Sequence, residues 1–307
     1  MLYDHVLLLA YGSPATPQEV KPYFESLIQA KELAPDRLAE QMEHIVKIGG
    51  SVPQAKVVEK LAEKLEKLLL ALGYQVPVYF GMRHGQPPIT NALKEVKKRK
   101  GIRGLAVILS PHKSEMTYER YTQAVDAARN AVGAQSVQYE YLKVKHNHPL
   151  FIQAWVDQAR QAMRKLTLEQ REFVHIVFTG RAIPRSIAQL SDYEKEVTAT
   201  TVQVAKDLAH PKWTLAYQSR MDAGKETCTE PEISSVIALF NKEKERHVLV
   251  VPVGLVAECL ETRYDLDVDS RKKAETGGYG FMRADTPIEH PKFVLSILDM
   301  LVEKLKG

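Results

Sequence analysis

The 307-residue chain is poor in cysteine, with only Cys228 and Cys259. That scarcity excludes a disulfide framework, a CxxC redox pair and an iron–sulfur cluster held by four thiolates. No long apolar run occurs. The opening MLYDHVLLLAYG carries Asp4 and His5 early, so it is too short and too polar for a signal peptide or a membrane span, and it reads as a strand. Phosphate-cradling glycines are missing too. YGSP, after that first run, has one glycine and a proline, which is neither GxGxxG nor a P-loop and disfavours the usual modes of nucleotide binding. There is no GxSxG elbow and no histidine pair at helical spacing. TGG at Thr276–Gly278 is a turn signal. Net charge is only +4, with a pI near 8.8. The basic residues are scattered through helix-like segments such as EVKKRKG, the solvated end of a helix, so nucleic acid is not expected as a partner. The default expectation is a cytoplasmic monomer without a transmembrane segment.

What is present is ordinary globular composition, 45% hydrophobic and 26% charged, enough for one large domain or two. Short apolar runs alternate with longer amphipathic stretches. Strand-like HVLLLAYG, VPVYFG, GLAVILSP and VQYEYLKV are separated by helical KVVEKLAEKLEKLLLAL, ITNALKEVKKR and YERYTQAVDAARNAV. The cycle then restarts. Helical LFIQAWVDQARQAMRKL precedes the strand FVHIVFTG. Helical YEKEVTATTVQVAKDLA, strand WTLAYQS, helical ISSVIALFNKEK, strand HVLVVPVGLV and helical PKFVLSILDMLVEKL follow. This alternation predicts an α/β chain of two similar halves, residues 1–145 and 146–289, each a parallel sheet flanked by helices. The last amphipathic stretch, about 290–307, is expected to pack back on the first half. Ligands of such sheets bind outside the carboxyl ends of the strands, so a cleft between the halves is the expected site.

That rule makes the strand ends a shortlist: Tyr11–Pro14, Gly81–His84, Ser110–His112, Thr179–Arg181, Gln218–Arg220 and Pro252–Gly254. Histidine, tyrosine, arginine and serine recur among them, as a polar-lined cleft requires. His84 and His112 follow strands, although either alone more often has a structural role. His175 sits inside an apolar run and reads as a packed, hydrogen-bonded residue. His146 and His148 read as solvated loop residues. In VGLVAECLETRYDLDVDSR, Glu261, Asp265 and Asp269 recur every four residues. On an α-helix they share one face, about 6 Å apart, where like charges repel. Two readings stay open: an exposed acidic face countered by Arg263 and Arg271, or oxygen ligands in series that hand a divalent metal inward.

The set LLLAYGSP, KIGGSVP, YFGMRH, SPHKSEMTYERY, FTGRAIP, LAYQSR and VPVGLVAECLETRYDLD, in this order and spacing, resembles the ferrochelatases over essentially the whole chain. The resemblance implies two Rossmann-like, chelatase-type halves and insertion of ferrous iron into a porphyrin, protoporphyrin IX or coproporphyrin III. Iron(2+) is then a substrate metal, porphyrin or haem the ligand, and no resident cofactor is required. It also implies roles for individual residues. Glu261 matches the family's inner carboxylate, Asp265 and Asp269 its acidic ladder, and Tyr11 a tyrosine facing the porphyrin iron. His84 matches a cleft histidine. Ser114, Thr117 and Tyr121 match a hydroxyl-rich segment that binds propionates. Ser51 lies one place before the family's loop serine, where Val52 stands.

Other positions depart from the pattern. Arg181 occupies the place of the family's active-site histidine. Glu258–Cys259 replaces Asp-His, Ile28 replaces an arginine, and a Trp-Leu-x-Pro motif is replaced around ETCTEP. The arginine matters chemically. Metallation removes two pyrrole protons and strips water from the metal, and a neutral histidine can serve both tasks. Arginine has no acceptor and does not lose its proton. Facing Glu261, it is expected to form a charge-assisted pair and lower that carboxylate's proton affinity. The readings that remain are a ferrochelatase with an altered inner site, or a tetrapyrrole- or haem-binding homologue that lacks chelatase activity or acts on a tetrapyrrole by a different reaction.

Overall fold

A computed structural model describes residues 2–219 and 227–306. Arg220, on the strand-end shortlist, and Glu226, in the replaced Trp-Leu-x-Pro region, lie outside the described residues. The chain divides into two compact units, one of residues 1–110, 115–144 and 288–307, the other of 111–114 and 145–287.

The first unit holds a four-stranded parallel sheet of β1 (His5–Ala10), β2 (Val78–Met82), β3 (Arg103–Ile108) and β4 (Gln138–Lys143), in the order β2-β1-β3-β4. Every residue of β1 is buried. A strand covered on both faces by helices needs a continuous apolar run rather than an alternating one, and each buried Val or Leu contributes roughly 1.5–3 kcal/mol. The helices are α1 (Val20–Gln29), α2 (Leu38–Lys47), α3 (Gln54–Ala71), α4 (Ile89–Lys98) and α5 (Glu119–Val132). α1 and α2 lie where the sequence pattern marks no element.

The second unit repeats the plan with β5 (Val174–Arg181), β6 (Trp213–Gln218), β7 (His247–Val251) and β8 (Gly280–Arg283), all parallel, in the order β6-β5-β7-β8. Its helices are α6 (Pro149–Met163), α7 (Leu168–Glu172), α8 (Arg185–Gln189), α9 (Tyr193–Leu208), α10 (Ile233–Ala238) and α11 (Arg271–Thr276). α10 is shorter than the helical pattern ISSVIALFNKEK suggests. β8 has four residues and follows the Gly277–Gly278 turn; it is too short to show a period. The chain returns to the first unit with α12 (Pro291–Leu305), which packs on α3 and places Lys304 Nζ 2.6 Å from Glu140 Oε1.

Each sheet reverses its winding beside its first strand, between β1 and β3 and between β5 and β7. These switch points leave a crevice at the carboxyl ends, because the helical connections depart to opposite faces. At the first, Gly12 has φ +99°, and a Cβ there would lie 1.6 Å from the His84 carbonyl oxygen. Only glycine allows the loop after β1 to lie against the end of β2. At the second, a Cβ on Gly254 would lie 2.9 Å from Gly180 Cα.

Candidate active site

Arg181 ends β5, and Pro252–Leu260 leads from β7 into the acidic segment, so the second switch point brings Arg181 to Glu261. The ion pair measures 3.3 Å from Nη2 to Oε1, and both side chains are partly exposed. Burial alone would raise the Glu261 carboxyl, but the Arg181 guanidinium together with hydrogen bonds from Cys259 and the backbone holds the group below its ordinary value. The neighbouring Cys259 thiol is pushed well up by burial and by Glu261. Both cysteines are free and buried.

The acidic row departs from the expected α-helix. Glu261–Ser270 is a ten-residue π-helix, with i→i+5 bonding and a wider turn. Such a turn takes between four and five residues, so Glu261, Asp265 and Asp269 still fall to one side. Their electrostatic states differ sharply. Glu261 is paired with Arg181, and Asp269 Oδ2 lies 2.8 Å from Lys273 Nζ. Between them, burial together with the charges of Glu261 and Asp269 pushes Asp265 up to about 7. Among the described residues no three His, Cys, Asp or Glu side chains converge as a metal cage.

The π-helix is held by a clamp that the sequence pattern does not mark. Arg283, at the end of β8, forks onto Asp267 at 2.7 and 2.8 Å and onto Glu258 at 3.0 and 3.0 Å. Thr262 and Thr286 hydroxyls donate to the same Glu258 carboxylate at 2.9 and 3.0 Å. Asp267 thereby faces the clamp, and Arg263 reaches it only at 3.8 Å. The countercharge expected from Arg263 and Arg271 does not settle on the ladder: Arg271 instead approaches Glu275 at 3.8 Å.

In the first unit, Tyr11 follows β1, Arg83 and His84 follow β2, and Thr117 and Tyr121 lie beyond β3. The Tyr11 hydroxyl donates to Glu32 at 3.0 Å, and its ring tilts against His84 with centroids 5.0 Å apart. Arg83 lies over the Tyr11 and Tyr121 rings, 4.9 and 5.0 Å from their centroids. Tyr121 is buried. Ser51 is half-buried in the Gly49–Pro53 turn, which is docked on the loop after β1 by Val52 N–H to Pro14 O at 2.8 Å and Ser13 Oγ to Val52 O at 2.5 Å.

Ser114 belongs instead to the second unit, buried in the segment Pro111–Ser114. His112 anchors that segment on α9, with Nε2 3.0 Å from Thr200 Oγ1, and the Lys113 N–H donates to Glu196 at 2.6 Å. His146 and His148 are more than solvated loop residues. His146 lies 3.5 Å from Glu196, and His148 caps α6 by accepting from Leu150 N–H at 3.2 Å. His175 lies 2.9 Å from Thr214 Oγ1 and stacks on Phe240 at 4.4 Å.

Two parallel sheets of matching order, each with polar groups gathered at its switch point, define an α/β protein of the chelatase type. Solved structures agree on the fold: SirB from Bacillus subtilis, determined with Fe3+, aligns with a TM-score of 0.60 at 11% identity, covering 97% of this chain and 94% of that one. DR2241 from Deinococcus radiodurans, whose description notes similarity to chelatases and two additional domains, gives 0.54 at 13% identity over 97% of this chain and 55% of its own. The ferrochelatase family model matches residues 3–305, and the chain belongs to the ferrochelatase family: metal chelatases of the lyase class that put metal into porphyrin for haem biosynthesis. Among its relatives, a coproporphyrin III ferrochelatase of Mycobacteroides abscessus is 30% identical, covering 100% of this chain and 90% of the relative. A ferrochelatase of Rhodopirellula baltica is 29% identical, covering 99% and 86%.

Proposed function

We propose that this chain inserts ferrous iron into a porphyrin from an altered inner site, in which Arg181 restrains the carboxylate that handles the metal. The observation that carries this reading is the 3.3 Å pair between Arg181 and Glu261. A guanidinium on Glu261 competes with an incoming cation for the same oxygens and supplies no proton acceptor. Insertion exchanges one iron(2+) for two pyrrole protons, which must leave. Glu261, with its lowered proton affinity, takes them poorly. Asp265, near neutrality, is the better acceptor on that side of the π-helix. Asp265 and Asp269 pass the metal along the row.

The proposed tetrapyrrole contacts are Tyr11, Ser51, His84, Ser114, Thr117 and Tyr121, with the Tyr11 phenol also directed to the metal. Coproporphyrin III is the first porphyrin to try, because it is in the name of the Mycobacteroides abscessus relative. Iron is substrate, no resident cofactor is required, and the protein works as a cytoplasmic monomer. No described helix is long and apolar enough to cross a membrane. The same ion pair favours a second reading, a tetrapyrrole-binding protein that has lost insertion.

Continuous absorbance under anaerobic conditions, with ferrous iron and then zinc, separates the two. The native chain should insert metal slowly, and Arg181→His should raise the initial rate about ten-fold or more, a positioned acid–base group being worth roughly a hundred-fold at least. Adding Glu261→Gln should remove the gain. Brisk native insertion that Arg181→His slows would make the arginine a working part of the reaction and sink the proposal. Tight porphyrin binding with no insertion by either protein would favour the second reading.

A further inference from the structure

Glu32 is a crowded carboxylate of the first unit. Its side chain is 7% exposed and forms an ion pair with Arg83, itself 5% exposed. Glu32 also lies 3.3 Å from His84 Nε2 and 3.4 Å from Arg120 Nη1, and it accepts the Tyr11 hydroxyl at 3.0 Å. The donors are mounted rigidly. Tyr11 and Arg83–His84 are strand ends, and Arg83 also donates to the Met116 carbonyl at 3.2 Å and is sandwiched by two tyrosine rings. Arg120 starts α5. The carboxylate is mounted differently. Glu32 sits in no helix or strand but in the turn that ends α1, after Lys31, a non-glycine residue with φ 57°. That left-handed conformation is uncommon for lysine, and strained backbone of this kind gathers at ligand clamps and switch regions.

A receptor made of two guanidiniums and an imidazole at a sheet switch point matches the requirements of a ligand carboxylate. It opens toward solvent at Arg120, whose side chain is 26% exposed. We propose that Glu32 is a resident occupant of this cradle, and that an acid arm of the tetrapyrrole takes its place when the turn at residues 30–33 swings aside. Glu32 then sets specificity: it taxes every ligand that needs the cradle and leaves alone those that do not. A binding-competent state that is rarely populated weakens apparent affinity by its fractional population. The inference rests on the tetrapyrrole reading above and extends it to Glu32, Arg83 and Arg120.

The test compares coproporphyrin III with the same macrocycle bearing neutral amides in place of its acid arms, both titrated against the full chain by fluorescence quenching. Glu32→Gln should tighten binding of the acid form about ten-fold or more and leave the amide form unchanged. Glu32→Gln combined with Arg120→Ala should lose that gain. If Glu32→Gln does not fold, judged by circular dichroism, Arg120→Ala alone still decides the matter. It should weaken the acid form several-fold and spare the amide. An acid-to-amide affinity ratio that none of these folded variants moves overturns the occupant while the tetrapyrrole reading stands. If neither porphyrin binds native or variant protein, the tetrapyrrole reading fails and takes this inference with it.

Discussion

The two switch points have the same place in matching sheets and opposite electrostatics. In the first unit one carboxylate, Glu32, is surrounded by cationic and hydroxyl donors, and although burial opposes ionisation, hydrogen bonding to His84 and the charge of Arg83 carry it down to about 2. In the second, Glu261, Asp265 and Asp269 lie to one side of a π-helix, Arg181 and Lys273 pair with the two ends of that row, and the middle one is pushed up to about 7. The first arrangement has donors in excess and suits an anionic ligand. The second gathers carboxylate acceptors, as the metal passage proposed above requires. Topology therefore repeats the switch point, and the residues delivered to each set the charge found there.

The strongest way to break the comparison is to unfasten the acceptor-rich row. Arg283→Ala leaves Glu258 and Asp267 facing one another around an emptied position, with a side chain that was 5% exposed removed. A broken buried pair of this kind costs about 3–5 kcal/mol, and urea unfolding should show it; a loss below about 1 kcal/mol would mean that the clamp is ornamental.

Next comes the acid limb of stability. The Glu32 carboxyl is lowered in the folded chain, so its contribution is complete above its unfolded value near 4.5 and is lost as pH falls from there toward about 2. The difference between native and Glu32→Gln protein should shrink across that window by on the order of 3 kcal/mol. A gap that does not change with pH would show that the surrounding donors do not act on its ionisation.

Asp265 should behave in the opposite sense. Its folded value is raised, so whatever it contributes is present below about 3.8 and is lost as pH rises through about 7. Asp265→Asn should therefore stabilise the chain at pH 8, by on the order of 2 kcal/mol after allowing for solvent screening of a partly exposed group, and much less at pH 4. Equal effects at the two pH values would remove the contrast between the two crevices.

The smallest expected effect sharpens the donor-rich side. Tyr121→Phe removes a single hydroxyl beneath Arg83 and should weaken binding of an acid-bearing porphyrin by about 1 kcal/mol, the usual worth of one hydrogen bond, measured by the same quenching titration. No change would place Tyr121 in the wall of the crevice and not on the ligand.

Much of the architecture was legible because buried parallel strands need local, continuous hydrophobicity. HVLLLA, RGLAVI and VHIVFTGR announce β1, β3 and β5 by their own composition, and the amphipathic stretches between them announce the helices. Membership of the ferrochelatase family was legible for a related reason: its motifs sit at strand ends, where sequence order and spatial order coincide. Arg181 ends β5 and Glu261 opens the π-helix that follows β7, and the chemistry of a guanidinium facing a carboxylate needs no more than their meeting. The limits were equally physical. β8 has four residues, too few for a period to show. A row of acids four apart fits an α-helix and a π-helix alike, and backbone hydrogen bonding beyond the row chose the second. Glu32 carries no local mark at all. Its partner Arg83 is 51 residues away, and neither flanking sequence hints at the other. Sequence by itself determined which segments are buried, since burial follows from hydrophobicity read along the chain. Only the tertiary structure decided which charges meet, because that depends on where the sheet order sets down loops that are remote in sequence.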